Sequence, residues 1–247
     1  VLRLALELAV RHEVLTRNPM DHVSRIYREA RVPDALSNVE VNEIRQAIAL
    51  WESGSFHMSE PKPDGQLGKI VEVMLGTSAR IGEVLAIRRR DVDMTGQTPT
   101  IRLAGTIVSR QGEPTMRQDH PKTAKSRRTG AIPSFTAEAV RRRLAQRDDS
   151  LPEALLFCSR NDTPLTTINV RRQLRHVAGL ADISGVTPHT FRRTLATVVN
   201  EHAGVVLAAE LLGHTDPKVP IQHYIRRNEM VRPLTADLLD RALRKGY

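Results

Sequence analysis

The sequence predicts an α+β fold that is mostly α-helical and carries one small antiparallel sheet. Three observations predict it. Apolar residues make up 40% of the 247 but aromatic residues only 3%, so a substantial core must be built from Leu, Val, Ile and Ala, which suits packed helices. Apolar positions recur at helical spacing along most of the chain. One stretch, "TIRLAGTIV" at 100–108, is dense in β-branched residues, and two shorter strand candidates follow it.

In chain order, residues 1–14 form an amphipathic helix with Leu2, Leu4, Leu6, Leu8 and Val10 among its apolar positions. The sequence opens inside this pattern, so residues 1–27 read as the C-terminal end of a helical domain whose earlier part precedes Val1. "REARVPDAL" (28–36) reads as an extended linker because Pro33 disfavours helix before it. A second domain then covers 37–247. In "SNVE", Ser37 caps a helix and Glu40 reaches back to it, with Val41, Ile44, Ile48 and Trp51 as its apolar stripe. Residues 52–66 are rich in Ser, Pro and Gly and form a loop. Further helices are predicted over 67–76 and from Ser78 to Ile87. The strand at 100–108 pairs with candidates in "TMRQDH" (115–120) and "RTGAIP" (128–133), on either side of the basic loop "PKTAKSRR" (121–128), to give a three-stranded sheet. The remaining helices are predicted over 136–147, 167–178, 189–201, 205–212, 217–226 and 234–245, with no internal repeat.

Thirty-seven Lys and Arg against 28 Asp and Glu leave a charge of +9, which points to a polyanionic partner, nucleic acid being the commonest. The single cysteine, Cys158, lies in the apolar setting "ALLFCSR" and reads as buried. One cysteine excludes a disulfide framework within the chain and a multi-cysteine zinc site. No apolar run approaches a membrane span and no signal-peptide pattern opens the sequence, so the expected compartment is the cytoplasm. There is no His-Glu-x-x-His, no acidic pair at ligand spacing and no Gly-rich phosphate loop, so no metal and no nucleotide cofactor are implied.

Five segments carry candidate chemistry. In "TSARIGEVLAI" (77–87), Arg80 stands at a predicted helix start, where backbone N–H groups favour an anion, and Glu83 shares its face. A surface ion pair is the competing reading of that segment. "TPHTFRRTLAT" (187–197) places His189 and Arg192 on one helical face after Pro188. Lys122 sits in the basic loop, which is otherwise a solvated hairpin. "LLGH" ends a helix at Gly213, with His214 directly after it, and Tyr224 follows ten residues later.

In that order, Arg80 in "ARIGE", Lys122 in "PKT", His189 and Arg192 in "HTFR", His214 in "LLGH" and Tyr224 resemble the catalytic domain of the tyrosine recombinases (phage integrases) over about 34–230. The resemblance implies that family's DNA breaking-rejoining fold and a 3′-phosphotyrosyl intermediate formed by Tyr224. Arg80, Arg192 and His214 would hold the scissile phosphate, Lys122 would protonate the leaving 5′ oxygen, and His189 would take the tyrosine proton. The residue types fit: a planar guanidinium binds two phosphate oxygens, and a tyrosine with a pKa near ~10 needs a base.

There are departures. Arg193 stands where many members carry a second histidine, and "PKVPIQHY" lacks the usual Thr-Thr, carries Pro217 and Pro220, and has His223 next to the tyrosine. The implied partners are double-stranded DNA at attachment or recombination sites, a homotetramer on that DNA, and accessory DNA-bending or directionality factors. The tail helix at 234–245 would dock on a neighbouring protomer, with folding back on its own domain as the competing reading. Lys125, Arg127, Arg171, Arg172, Arg175 and Arg193 are candidate DNA contacts. A type IB topoisomerase or telomere resolvase would share the chemistry, and a non-catalytic DNA-binding protein is the reading from another class.

Overall fold

The computed structural model describes residues 2–24, 35–55, 63–120, 127–146 and 151–213. Lys122, Lys125, His214 and Tyr224 lie outside the described residues, as do most of the predicted linker and the helices expected over 217–226 and 234–245. The chain divides into two compact units, Val1–Val32 and Pro33–Tyr247.

In the first unit, helix α1 (Leu2–Arg11) buries none of its residues and leaves Leu2, Leu4 and Leu8 exposed. A short 3-10 turn at Pro19–His22 follows, started by Asn18, whose Oδ1 accepts from the Met20 N–H at 3.0 Å.

The second unit begins with α2 (Asn38–Glu52), capped as the sequence predicts: Ser37 Oγ accepts from the Glu40 N–H at 3.2 Å and Glu40 Oε2 accepts from the Ser37 N–H at 2.7 Å. Its buried stripe is Val41, Ile44, Ala47 and Ile48. Helix α3 (Leu67–Thr77) is buried on nearly every side, as expected of a mostly apolar helix that runs through a core, with Glu72 paired to Arg45 at its margin. The helices α5 (Ser134–Ala145), α6 (Thr167–Leu180), α7 (Pro188–Ala203) and α8 (Val205–Leu212) complete the helical part. Ile44, Ile70, Met74, Leu85, Ile101, Leu156, Phe157, Leu174 and Phe191 fill the main core, which is predominantly aliphatic. Cys158 is buried, as its apolar setting predicts.

Two predicted elements take a different form. The helix expected from Ser78 to Ile87 is only α4, Ile81–Leu85. The preceding helix runs on to Thr77, and Ser78 turns left-handed at φ +54°, which separates the two. The strand expected over 100–108 divides into β2 (Thr100–Leu103) and β3 (Thr106–Val108). Between them Gly105 lies so close to its neighbour that a Cβ would stand 2.6 Å from Arg117 Cζ and 2.7 Å from the Gln118 carbonyl oxygen. A three-stranded antiparallel sheet is present but with different members from those predicted: its order is β1 (Val92–Asp93), β2, β5 (Arg128–Ala131), with Ile101 opposite both Val92 and Gly130. The second predicted strand, β4 (Met116–Gln118), pairs with β3 in a separate hairpin. A two-residue strand such as β1 is too short to leave a periodic signal.

Candidate active site

A cleft of about 760 Å³ opens where the start of α4, the β3–β4 hairpin, α6 and the start of α7 meet. Arg80, His120, Arg171, Arg175 and His189 lie on its walls.

Arg80 is the N-cap of α4, with extended backbone at φ −68° and ψ 149°. Glu83, one turn on, grips it twice: Oε2 accepts the Arg80 backbone N–H at 3.0 Å, and Oε1 accepts from Nη1 at 2.8 Å. Glu83 is only 3% exposed whereas 31% of the Arg80 side chain remains open. The pair is thus a buried anchor under an accessible guanidinium rather than a solvated surface ion pair, the competing reading of that segment.

His189 stands in the first turn of α7, which starts at the Thr187 cap: Thr187 Oγ1 accepts from the Thr190 N–H at 3.3 Å and Thr190 Oγ1 accepts from the Thr187 N–H at 3.0 Å. Pro188 at the first helical position fits this start. The His189 ring is exposed toward the cleft. Desolvation against the cleft wall holds its pKa below the ordinary 6.5, and the charges of Arg192, Arg193, Arg80 and Arg171 lower it further. Around neutral pH the ring is therefore a neutral base in a field of cations.

Arg192, from the same helix, is not on the cleft wall. It is 1% exposed; Nη1 donates to the Ser78 carbonyl and Nη2 to the Leu212 carbonyl. It ties α7 to the α3–α4 turn and to the end of α8. Of the three α6 arginines, Arg171 and Arg175, four apart and so on one face, reach the cleft, while Arg172 is exposed off its wall. Arg193 is half-buried beside the site, felt at His189 through its charge. Arg127 is exposed and donates from Nη2 to the Asp119 carbonyl at 2.9 Å.

Two residues near the site escape sequence reasoning. His120 joins the cleft wall, where its ring meets Gln118 Nε2. Arg128, the last residue of the basic loop, turns inward to Glu83. The only signal for either is its place next to the Lys122 loop, and that position does not tell an inward side chain from a solvated one.

The sequence profile of the phage integrase family matches residues 38–230. Among curated relatives, tyrosine recombinase XerC of Bacillus pumilus (strain SAFR-032) is 26% identical over 228 residues, covering 87% of this chain and 64% of that protein. The integrase of Staphylococcus phage L54a is 29% identical over 169 residues, covering 64% of this chain and 47% of that protein. The chain therefore spans less than two thirds of the length of these relatives. Among solved structures, the Tn1549 transposon integrase in complex with transposon right end DNA superposes with a TM-score of 0.74 at 16% identity, over 98% of this chain and 76% of that one. A lambda integrase dimer bound to a COC′ core site gives 0.61 at 18% identity, over 94% and 72%. These likenesses establish the fold as that of the tyrosine recombinases. With the profile matched across most of the second unit, the chain belongs to the phage integrase family.

Proposed function

We propose that this chain carries the catalytic part of a site-specific DNA recombinase that cleaves and rejoins DNA through a 3′-phosphotyrosyl link on Tyr224. The observation that carries this reading is the accessible Arg80 guanidinium, anchored by buried Glu83, on the same cleft as neutral His189 and the α6 cations Arg171 and Arg175.

Attack by the Tyr224 hydroxyl on a DNA phosphorus forms a P–O(Tyr) bond and breaks the P–O5′ bond. The tyrosine proton goes to His189, and the 5′ oxygen takes one from Lys122. Charge that builds on the non-bridging oxygens is met by Arg80, with His214 as a further donor and Arg192, held behind the cleft by the Ser78 and Leu212 carbonyls, contributing its fixed positive charge. A preorganised donor of this kind contributes about 3 kcal/mol. The phosphotyrosyl ester conserves the energy of the phosphodiester, so a 5′ hydroxyl from another strand reverses the step and joins the DNA. Arg171 and Arg175 contact the duplex backbone beside the scissile phosphate, and the protein works as a tetramer on DNA through its C-terminal segment.

Covalent capture tests this. Full-length protein is incubated with a fragmented, nicked library of its source DNA, and SDS-resistant adducts are sequenced, with Tyr224→Phe in parallel. Adducts at one recurring sequence, absent from the variant, are expected. Folded protein that binds DNA and gives no adduct would mean a non-catalytic DNA-binding protein. Site-independent relaxation of supercoiled DNA would mean a topoisomerase.

A further inference from the structure

Arg128 opens β5, and its side chain is largely buried. Nη1 lies 3.8 Å from Glu83 Oε2, the same oxygen that accepts the Arg80 N–H. Nη2 makes a long contact, 3.5 Å, to the Thr77 carbonyl. On its other side the guanidinium lies against Gly213, where an added Cβ would stand 3.2 Å from Nη1. Arg192 joins the same two segments one residue away, through the Ser78 and Leu212 carbonyls. Arg192 is therefore a hydrogen-bonded tie between the α3–α4 turn and the end of α8, and Arg128 packs between the same two segments beside it. Both anchor points are left-handed turns, Ser78 at φ +54° and Gly213 at φ +67°. Arg80 follows two residues after the first turn, and His214 is the residue after the second.

We propose that Arg128 is a positioning residue for the phosphate-holding groups: it shares the Glu83 carboxylate with Arg80 and fixes the α3–α4 turn in register with Gly213. This rests on the recombinase reading above. Two cations on one buried carboxylate leave Arg80 only partly engaged, with its open side toward the cleft. Without Arg128, Arg80 is drawn inward to neutralise Glu83, and the two turns lose the side chain packed between them. Displacements on the order of 1 Å at a reacting phosphate cost about 10²-fold in rate. A lysine restores the charge at Glu83 but lacks the planar fork that reaches the Thr77 carbonyl and Gly213 together.

The test uses full-length protein and the DNA recovered by covalent capture, in single-turnover cleavage with either an ordinary or a 5′-bridging phosphorothiolate scissile linkage. The sulfur leaving group needs no proton, so it rescues loss of Lys122 but not misplacement of the phosphate clamp. Arg128→Met is expected to cleave about 10²-fold more slowly on both linkages, with DNA affinity unchanged, and Arg128→Lys is expected to recover about tenfold of that loss. Rescue of Arg128→Met by sulfur, a wild-type rate, or a loss accounted for by weaker DNA binding overturns the proposal. Amide hydrogen exchange gives a readout independent of activity. Arg128→Met, or Arg128→Lys should the first not fold, speeds exchange at 77–84 and 212–213 and leaves α2 unchanged. Wild-type exchange in both segments overturns the proposal. A wild-type protein that forms no adduct overturns the recombinase reading instead, and the exchange result then decides the role of Arg128 alone.

Discussion

Arg80 and Arg192 stand near the starts of α4 and α7 and are held in opposite ways. Arg80 is gripped by the carboxylate of Glu83 and keeps 31% of its side chain open to the cleft. Arg192 is 1% exposed and gripped by the carbonyls of Ser78 and Leu212. A carboxylate grip aims a guanidinium while cancelling part of its charge; a carbonyl grip holds it in place without cancelling any. The first arrangement suits a group that must reach out to a phosphate. The second makes a strut that also projects positive charge, and Arg192 is the foremost cation holding down the His189 pKa.

Arg80→Ala is expected to slow covalent-adduct formation by about 10³-fold, the cost of losing a preorganised donor, while global stability falls by only about 1–2 kcal/mol because Glu83 keeps other partners. Quench-flow cleavage and urea denaturation of the same preparation separate the two effects. A stability loss that matched the activity loss would make Arg80 a structural residue like Arg192.

Arg192→Met makes the converse cut. Two buried carbonyls lose their donor, and each such group costs about 1–3 kcal/mol, so a destabilisation of about 3 kcal/mol is expected by urea unfolding. A variant as stable as wild type would show that the carbonyl grip is not a strut.

This difference bears on what the sequence could show. The capped start of α2 and its buried face were legible, because each depends on neighbours within a few positions. Ser37 and Glu40 suffice to define a capping box, and Val41, Ile44 and Ile48 suffice to define its buried face. The inward turn of Arg128 and Arg192 was not legible. Both bind carbonyls that lie far along the chain, Thr77, Ser78 and Leu212, and a carbonyl carries no side-chain signature. The broken strand at Gly105 was missed for the same reason, since the Arg117 guanidinium that crowds it comes from the next strand. The left-handed Ser78, which shortened α4, has a residue type that gives no warning of positive φ.

Desolvation and the charges of Arg192 and its neighbours make stability depend on pH through His189. The folded-state pKa of His189 lies below the ordinary 6.5, so the unfolded chain takes up the proton first. The histidine's contribution to stability is complete above 6.5 and is lost as pH falls through the window between 6.5 and the lowered folded value. Wild type is expected to lose more stability than His189→Gln between neutral and mildly acidic pH. Added salt should narrow the gap, because it screens the cations but leaves the desolvation. Parallel pH dependences for the two proteins would mean that the cleft exerts no such field.

The smallest expected effect separates cations on one helix. Arg171 and Arg175 share a face that meets the cleft, and Arg172 does not. If the cleft holds the DNA backbone, each of the first two neutralises about one phosphate. Arg171→Ala and Arg175→Ala should then each reduce the slope of log affinity against log salt by about 0.9, while Arg172→Ala leaves it near the wild-type value. The loss should be uniform across DNA sequences, since a phosphate contact carries no base information. Fluorescence anisotropy on one duplex over a salt series measures all three slopes. Equal slopes for the three variants would mean that the DNA runs over the outer surface of α6, and the cleft would then serve the scissile phosphate alone.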